Sequence, residues 1–394
     1  MTTDRLAARF ARPVRPARPA ALAACLLAVS GAALGAFAPA AALPLYATRN
    51  GLACATCHFD PNGGGPRNSF GFLYSRNRHE MAAPDSGRWA SLPLSNKIGE
   101  ALTFGTNLRT QYMYLRTVGS GAPEVSTIFP MQGALYVVFE PHPNLTVVYN
   151  RDLHQSRDAY GMIHGLPGGL YVKAGQIRVP FGLRQDDHTS AMRAGFRDAA
   201  TNPFGTSGFT PFDPRDVEGG LETGFSLFPG GAGVIALTNG GSVFATHAQA
   251  VTAKVTYFGS RYLGGLSGYD NYQSDTRRRA SRISYYGGVS LSPRLQLVGE
   301  VGAGTDDTAD GVKHNLRGYF AEADYRVCRT VLTRAKYDFI DLDHSVPGRA
   351  QKRYSLESDF TLVPFADLKA AFRRVVPDDA NDEDQLLLQF HFYY

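Results

Sequence analysis

The sequence predicts an all-β chain. Its core is a transmembrane antiparallel β-barrel of sixteen strands, with fourteen as the alternative, preceded by a small segment carrying a Cys-x-x-Cys-His motif. Three observations carry this prediction. Beyond residue 42 no apolar stretch reaches the length of a helical membrane span. From Lys97 onward, short segments alternate apolar and polar residues and are separated by turn signals. The motif stands alone at residues 54–58, ahead of the first such segment.

In chain order, residues 1–42 read as a secretory signal. Arg5, Arg9, Arg12, Arg15 and Arg18 form a positive n-region, an Ala-rich apolar run follows, and the small residues 38–42 offer a cleavage site. A membrane-anchoring helix is the competing reading; the run is short for a span and the Cys motif follows at once. The whole chain has 40 Lys+Arg and 35 Asp+Glu. The five leader arginines and Asp4 leave 35 basic and 34 acidic residues, so the apparent basicity belongs to the leader. No nucleic-acid footprint remains. Cys25 leaves with the signal, Cys54 and Cys57 form a pair and Cys328 is alone, which is no disulfide framework.

Residues 43–96 read as a monohaem cytochrome c segment. Cys54-Ala55-Thr56-Cys57-His58 is the attachment sequence for haem c. Two thiols at this spacing meet the two vinyl groups of one porphyrin edge, and the adjacent His58 becomes the proximal iron ligand. A redox dithiol would not require His58, and a zinc site would want a second pair of ligands. Candidates for the sixth ligand are His79 and Met81; a residue from the barrel interior or an open position are further options. Met opposite His raises the potential and His lowers it. About fifty residues cannot build much of a core, so the segment is expected to dock on the rest of the chain and plug the lumen.

Residues 97–394 read as an outer-membrane barrel. In the last segment Leu386, Leu388, Phe390, Phe392 and Tyr394 share one face, and Leu387, Gln389, His391 and Tyr393 the other. Val331 to Phe339 and Tyr354 to Phe360 alternate similarly. Fifteen strands are recognisable, near 101–117, 131–140, 144–156, 168–179, 219–228, 232–238, 247–258, 261–268, 281–291, 294–304, 314–326, 330–340, 351–362, 365–376 and 384–394. Short and long connections alternate, as in outer-membrane barrels. That alternation slips between Val179 and Gly219, and one further crossing within residues 180–218 would restore it and give sixteen. A soluble β-sandwich is the competing architecture, because periodicity alone does not separate lipid from core.

Leu45-Tyr46-Ala47, Arg49, Gly51, the run Cys54 to Phe59, and Asn68-Ser69-Phe70-Gly71 resemble the fused outer-membrane monohaem cytochrome c–porin family of iron-oxidising bacteria. The order of parts matches over the whole chain; the residue-level match covers residues 46–71. The resemblance implies that Cys54 and Cys57 attach one covalent haem c and that His58 ligates its iron. It also implies oxidation of extracellular Fe(II), with electrons passed to a periplasmic cytochrome. The protein would then sit in outer-membrane lipid with both termini periplasmic. One haem cannot relay electrons across about 40 Å of membrane, so the donor has to come to it. Lumen-facing Glu300, Asp338, Glu357 and Asp359 are candidates for easing Fe(II) entry, against simple solvation of a wet wall. Two other functions compete: a diffusion porin whose haem plug is structural or gating, and a small-molecule haem enzyme. The enzyme reading ranks last because no acid–base constellation stands near residues 54–81.

Overall fold

A computed structural model of the protein describes residue 46 and residues 49–81, 94–121, 123–153, 157–184, 190–193, 196–197, 206–212, 217–240, 248–273, 278–308 and 310–394. The expected leader, its cleavage site and Cys25 lie outside the described residues.

Sixteen strands close into one antiparallel barrel. They are β1 (Leu102–Thr117), β2 (Val125–His142), β3 (Leu145–Asp152), β4 (Arg157–Leu166), β5 (Leu170–Ile177), β6 (Glu218–Phe228), β7 (Gly231–Thr238) and β8 (Ala248–Phe258), followed by β9 (Tyr262–Gln273), β10 (Arg278–Ser292), β11 (Leu295–Asp307), β12 (Lys313–Cys328), β13 (Val331–Asp341), β14 (Ala350–Val363), β15 (Ala366–Pro377) and β16 (Glu383–Tyr393). Each strand pairs with its sequence neighbour, and β16 returns to β1 in register from Glu383 opposite Thr117 to Tyr393 opposite Asn107. Closure removes the edges, so the wall satisfies its own backbone groups and can stand in hydrocarbon. A two-residue strand, Lys97–Ile98, pairs beside Leu102 and Thr103 without joining the ring.

The period of two decides what each face meets. On β16, Leu386, Leu388 and Phe390 are 42%, 42% and 54% exposed, while Leu387, Gln389, His391 and Tyr393 are buried. Leu266, Ile283, Tyr285, Val301, Leu356 and Phe372 extend the exposed apolar belt around the wall. Glu222, Glu300, Glu322, Asp338 and Arg353 are buried on the inside. A soluble sandwich would bury the apolar face; this wall exposes it and buries its charges, as a transmembrane barrel does.

Seven connections at one end of the barrel are no longer than three residues: 143–144, 167–169, 229–230, 259–261, 293–294, 329–330 and 364–365. Those at the other end are longer, and residues 178–217 form the longest. Sixteen strands agree with expectation, but the concealed crossing lies elsewhere. It is β4, in the stretch 157–167 that reads from sequence as a connection between the strands near 144–156 and 168–179. β4 turns Asp158, Tyr160, Met162 and His164 inward, and Gly161 and Gly165 thin out its lipid face, so its apolar alternation is weak. Residues 178–217 do not supply the missing crossing; β5 and β6 pair directly with each other across them. β2 also begins earlier than expected, because a register shift opposite Arg109 and Thr110 accommodates Pro130.

Candidate functional site

The N-terminal segment folds around two helices, α1 (Cys54–Cys57) and α2 (Ser69–Arg76). Gly63, Gly64 and Gly65 take φ of 88°, 75° and 62°, a left-handed run that other residues resist. This turn brings Arg67 back beside His58 in an antiparallel bridge. Asn68 then caps α2, its side chain accepting from the Gly71 amide at 3.0 Å. A Cβ on Gly71 would stand 2.1 Å from the Cys57 carbonyl oxygen, so only glycine allows α2 to approach α1 this closely.

The segment rests on the inner wall at the short-turn end. Asp60 accepts from Lys173 of β5 at 3.0 Å, and the same ammonium reaches Glu222 of β6 at 2.9 Å. Asn62 donates to Glu222 at 2.7 Å. Phe59 packs on the inward cluster of Tyr136, Val138, Tyr160, Met162 and Tyr171. Phe72 meets Phe365 and Tyr394, ring centroids 5.0 and 5.1 Å away. The Arg67 guanidinium lies over the Tyr393 ring at 4.7 Å.

Between this segment and the wall lies a cavity of about 450 Å³. Cys54, Ala55, His58 and Phe59 form one side. Met162, His164, Tyr171, Lys254, Tyr286 and the loop residue Leu183 are among those forming the other. That volume lies within the roughly 300–1,000 Å³ of pockets that enclose a small organic ligand. Cys57 and Phe258 pack against Cys54. Burial pushes the Cys57 thiol up to about 11, with Arg67 acting weakly in the opposite sense. A redox dithiol needs a depressed thiol, so this environment suits a thioether anchor better than exchange chemistry. The donor set therefore fits a covalent haem: two neighbouring thiols, an imidazole one residue on and a mostly apolar recess beside them.

His79 and Met81 are not brought to this cavity. The chain leaves α2 through Arg78 and His79 at φ 58° and 60°. This turn stacks the His79 ring on Tyr46 at 4.8 Å and on Tyr393 at 5.5 Å. Met81 is 54% exposed. The cavity-facing Met162, His164 and Lys254 carried no signal in the sequence: two lie on the unrecognised β4, and Lys254 is one inward residue among many. Cys328 is exposed at a short turn.

A second group of residues enters the lumen from the long loop. Phe181, Ala191, Met192 and Phe209 are fully buried against Ala250, Tyr269, Val298, Leu316, Phe320 and Ile340 of the wall. The Gly182 amide donates to Ser267 at 2.8 Å, the Leu183 amide to Glu300 at 3.1 Å and the Ala191 amide to Asp338 at 3.2 Å. Residues 185–189, which include the polar run Gln185 to His188, lie outside the described residues.

The lumen acids are paired with cations. Arg334 lies 2.8 Å from Asp324, 3.2 Å from Glu322, 3.3 Å from Glu357 and 3.6 Å from Asp359. Arg373 meets Glu357 at 2.7 Å, Arg353 meets Asp338 at 2.8 Å and Arg193 approaches Glu300 at 3.7 Å. At the long-loop end Arg282 holds Asp306, Arg317 holds Asp341 and Arg374 holds Asp382 and Asp384. The four acids named as candidates for easing Fe(II) entry are thus each paired: strand register sets arginines and lysines beside Asp338, Glu357 and Asp359, and the loop residue Arg193 approaches Glu300.

A closed sixteen-stranded barrel with an apolar belt, short turns at one end and a long loop folded inward defines a porin-like transmembrane β-barrel. Solved porins share the fold. An anion-selective porin from Comamonas acidovorans superposes with a TM-score of 0.56 at 9% identity, covering 75% of this chain and 99% of that one. OmpT of Vibrio cholerae gives 0.56 at 10% identity, over 76% and 100%. The outer-membrane channel DcaP of Acinetobacter baumannii gives 0.52 at 11%, over 74% and 97%. No protein-family model and no curated protein matches the sequence.

Proposed function

We propose that this protein is an outer-membrane electron-transfer protein, a c-type cytochrome seated in the mouth of a porin-like barrel. The observation that carries the reading is the cavity of about 450 Å³ that Cys54 and His58 share with the barrel wall. Cys54 and Cys57 would anchor the haem through thioethers and His58 would ligate its iron. When bound, the haem supplies a one-electron Fe(III)/Fe(II) couple. The chain's own residues do the rest. Asp60, Asn62, Phe59 and Phe72 fix the segment to the wall, and the apolar lining excludes water. The buried Lys254 side chain lies over the Tyr286 ring at 5.5 Å on the cavity's wall side. Short turns face the periplasm in such barrels, which puts this cavity within reach of a periplasmic acceptor. The resemblance to the iron-oxidiser family implies extracellular Fe(II) as the donor.

The test is a visible spectrum of detergent-purified protein, before and after adding Fe(II) without oxygen. Prompt appearance of reduced c-type bands supports the reading. Bands that need dithionite retain the cytochrome and remove iron as direct donor. Protein without haem, from cells that attach haem c, overturns it.

The likeness to porins favours a second reading, a diffusion channel closed at one mouth by the N-terminal segment. Single-channel conductance in a planar bilayer separates the two. Steady, open conductance of the intact chain supports the channel; closed protein that exchanges electrons supports the cytochrome.

A further inference from the structure

We propose that His164, on strand β4 of the barrel wall, is the sixth ligand of the haem iron, so that the cofactor is clamped between the N-terminal segment and the barrel. The proposal rests on the cytochrome reading above. It starts from what lines the cavity opposite Cys54 and His58: Met162, His164, Tyr171, Lys254 and Tyr286 carry potential iron ligands there. Three of the five are committed elsewhere. Tyr171 donates to Glu222 at 2.7 Å, the Tyr286 hydroxyl bonds Thr256 at 2.6 Å, and Lys254 has that ring beneath its ammonium. Met162 is 4% exposed and packed in the apolar cluster with Val138, Val148 and Ile177.

His164 is partly exposed to the cavity and is held from one side only. Its backbone N–H donates to the Asn144 carbonyl at 2.9 Å, and the Asn144 side chain donates to its carbonyl at 2.8 Å. Its Nε2 lies 2.9 Å from the Thr146 hydroxyl. An imidazole that binds a metal through one nitrogen characteristically has the other bonded to a neighbouring oxygen, which fixes tautomer and ring orientation. In the tautomer whose Nε2–H donates to the Thr146 hydroxyl, that bond leaves the Nδ1 lone pair for the iron. The β4–β5 ladder also loses register between Ile163 and Leu166. Such irregularities re-aim side chains beside functional sites. The consequence is structural as well as electronic. Two imidazoles give a low-spin iron of lower potential than a His/Met pair. A ligand from the wall also makes haem insertion and barrel closure mutually dependent.

The experiment uses the full-length, haem-stained protein and reads electron paramagnetic resonance and near-infrared magnetic circular dichroism. The wild type is expected to show a low-spin bis-imidazole iron. His164→Ala is expected to become high-spin, to bind cyanide or carbon monoxide, and to recover the low-spin signal with added imidazole. His79→Ala and Met81→Ala are expected to leave the spectrum unchanged. Should His164→Ala fail to fold, the wild-type signal still decides: a sulfur-to-iron charge-transfer band, lost in Met162→Leu, overturns the assignment in favour of Met162. A haem-stained His164→Ala protein that stays low-spin overturns it as well. Wild-type protein with no haem stain overturns the cytochrome reading, and this proposal with it.

Discussion

Lys173 joins two carboxylates from different parts of the chain, Asp60 of the N-terminal segment and Glu222 of the wall. All three charges are buried, and removing the shared cation leaves two acids without it. Breaking a buried pair of this kind costs about 3–5 kcal/mol. Lys173→Met is therefore expected to release the N-terminal segment. Limited trypsin digestion checks this: cleavage should appear within residues 46–81 while the barrel stays resistant, and an uncleaved segment would refute it. On the cytochrome reading proposed above, Lys254 would act through its charge. Its ammonium faces the cavity, and a cation near iron favours Fe(II) over Fe(III). Lys254→Met is expected to lower the haem midpoint potential in a redox titration, and an unchanged potential would remove the residue from that role.

At the scale of elements, the inward loop and α2 make separate claims. The loop is fastened by Phe181, Met192 and Phe209, each fully buried, and by its amides on Ser267, Glu300 and Asp338. Phe→Ala in such a core costs about 3–5 kcal/mol. Phe209→Ala is expected to loosen the loop while the wall ladder persists, which bilayer recordings would register as larger conductance with unchanged heat-modifiable mobility. α2 depends on its Asn68 cap. Asn68→Ala is expected to cost about 1 kcal/mol of local stability. Hydrogen exchange at residues 69–76 should accelerate, and exchange within β16 should not.

At the scale of the molecule, pH couples to docking through His79. Burial first, and the nearby Arg67 second, lower its pKa from 6.5 to about 3. A detached segment would take up a proton near the ordinary value, whereas the docked one stays neutral to a lower pH. Docking is therefore at full strength above pH 6.5 and weakens as the pH falls from there towards 3. Protease exposure of residues 46–81 measured across that window should rise on acidification, and His79→Gln should flatten the curve.

Much of this architecture is legible locally. β13, β14 and β16 announce themselves by a period of two, since each side chain meets either lipid or lumen. The Cys54, Cys57 and His58 spacing carries its chemistry within five residues. β4 was not legible, because glycines on its lipid face and Asp158 and His164 on its inner face erase the alternation. The inward course of the long loop was not legible either: its anchors lie on β8 to β13, distant in sequence.

The sequence by itself determined the all-β wall, fifteen of its sixteen strands and the motif, because these follow from local periodicity and from bonds between near neighbours. Tertiary structure alone decided which charges neutralise each other, that His79 and Met81 stay away from the cavity, and that His164 and Lys254 face it. Those outcomes depend on strand register, which sets cations beside acids on neighbouring strands, and on ring closure, which brings His164 and Lys254 to the cavity beside Cys54.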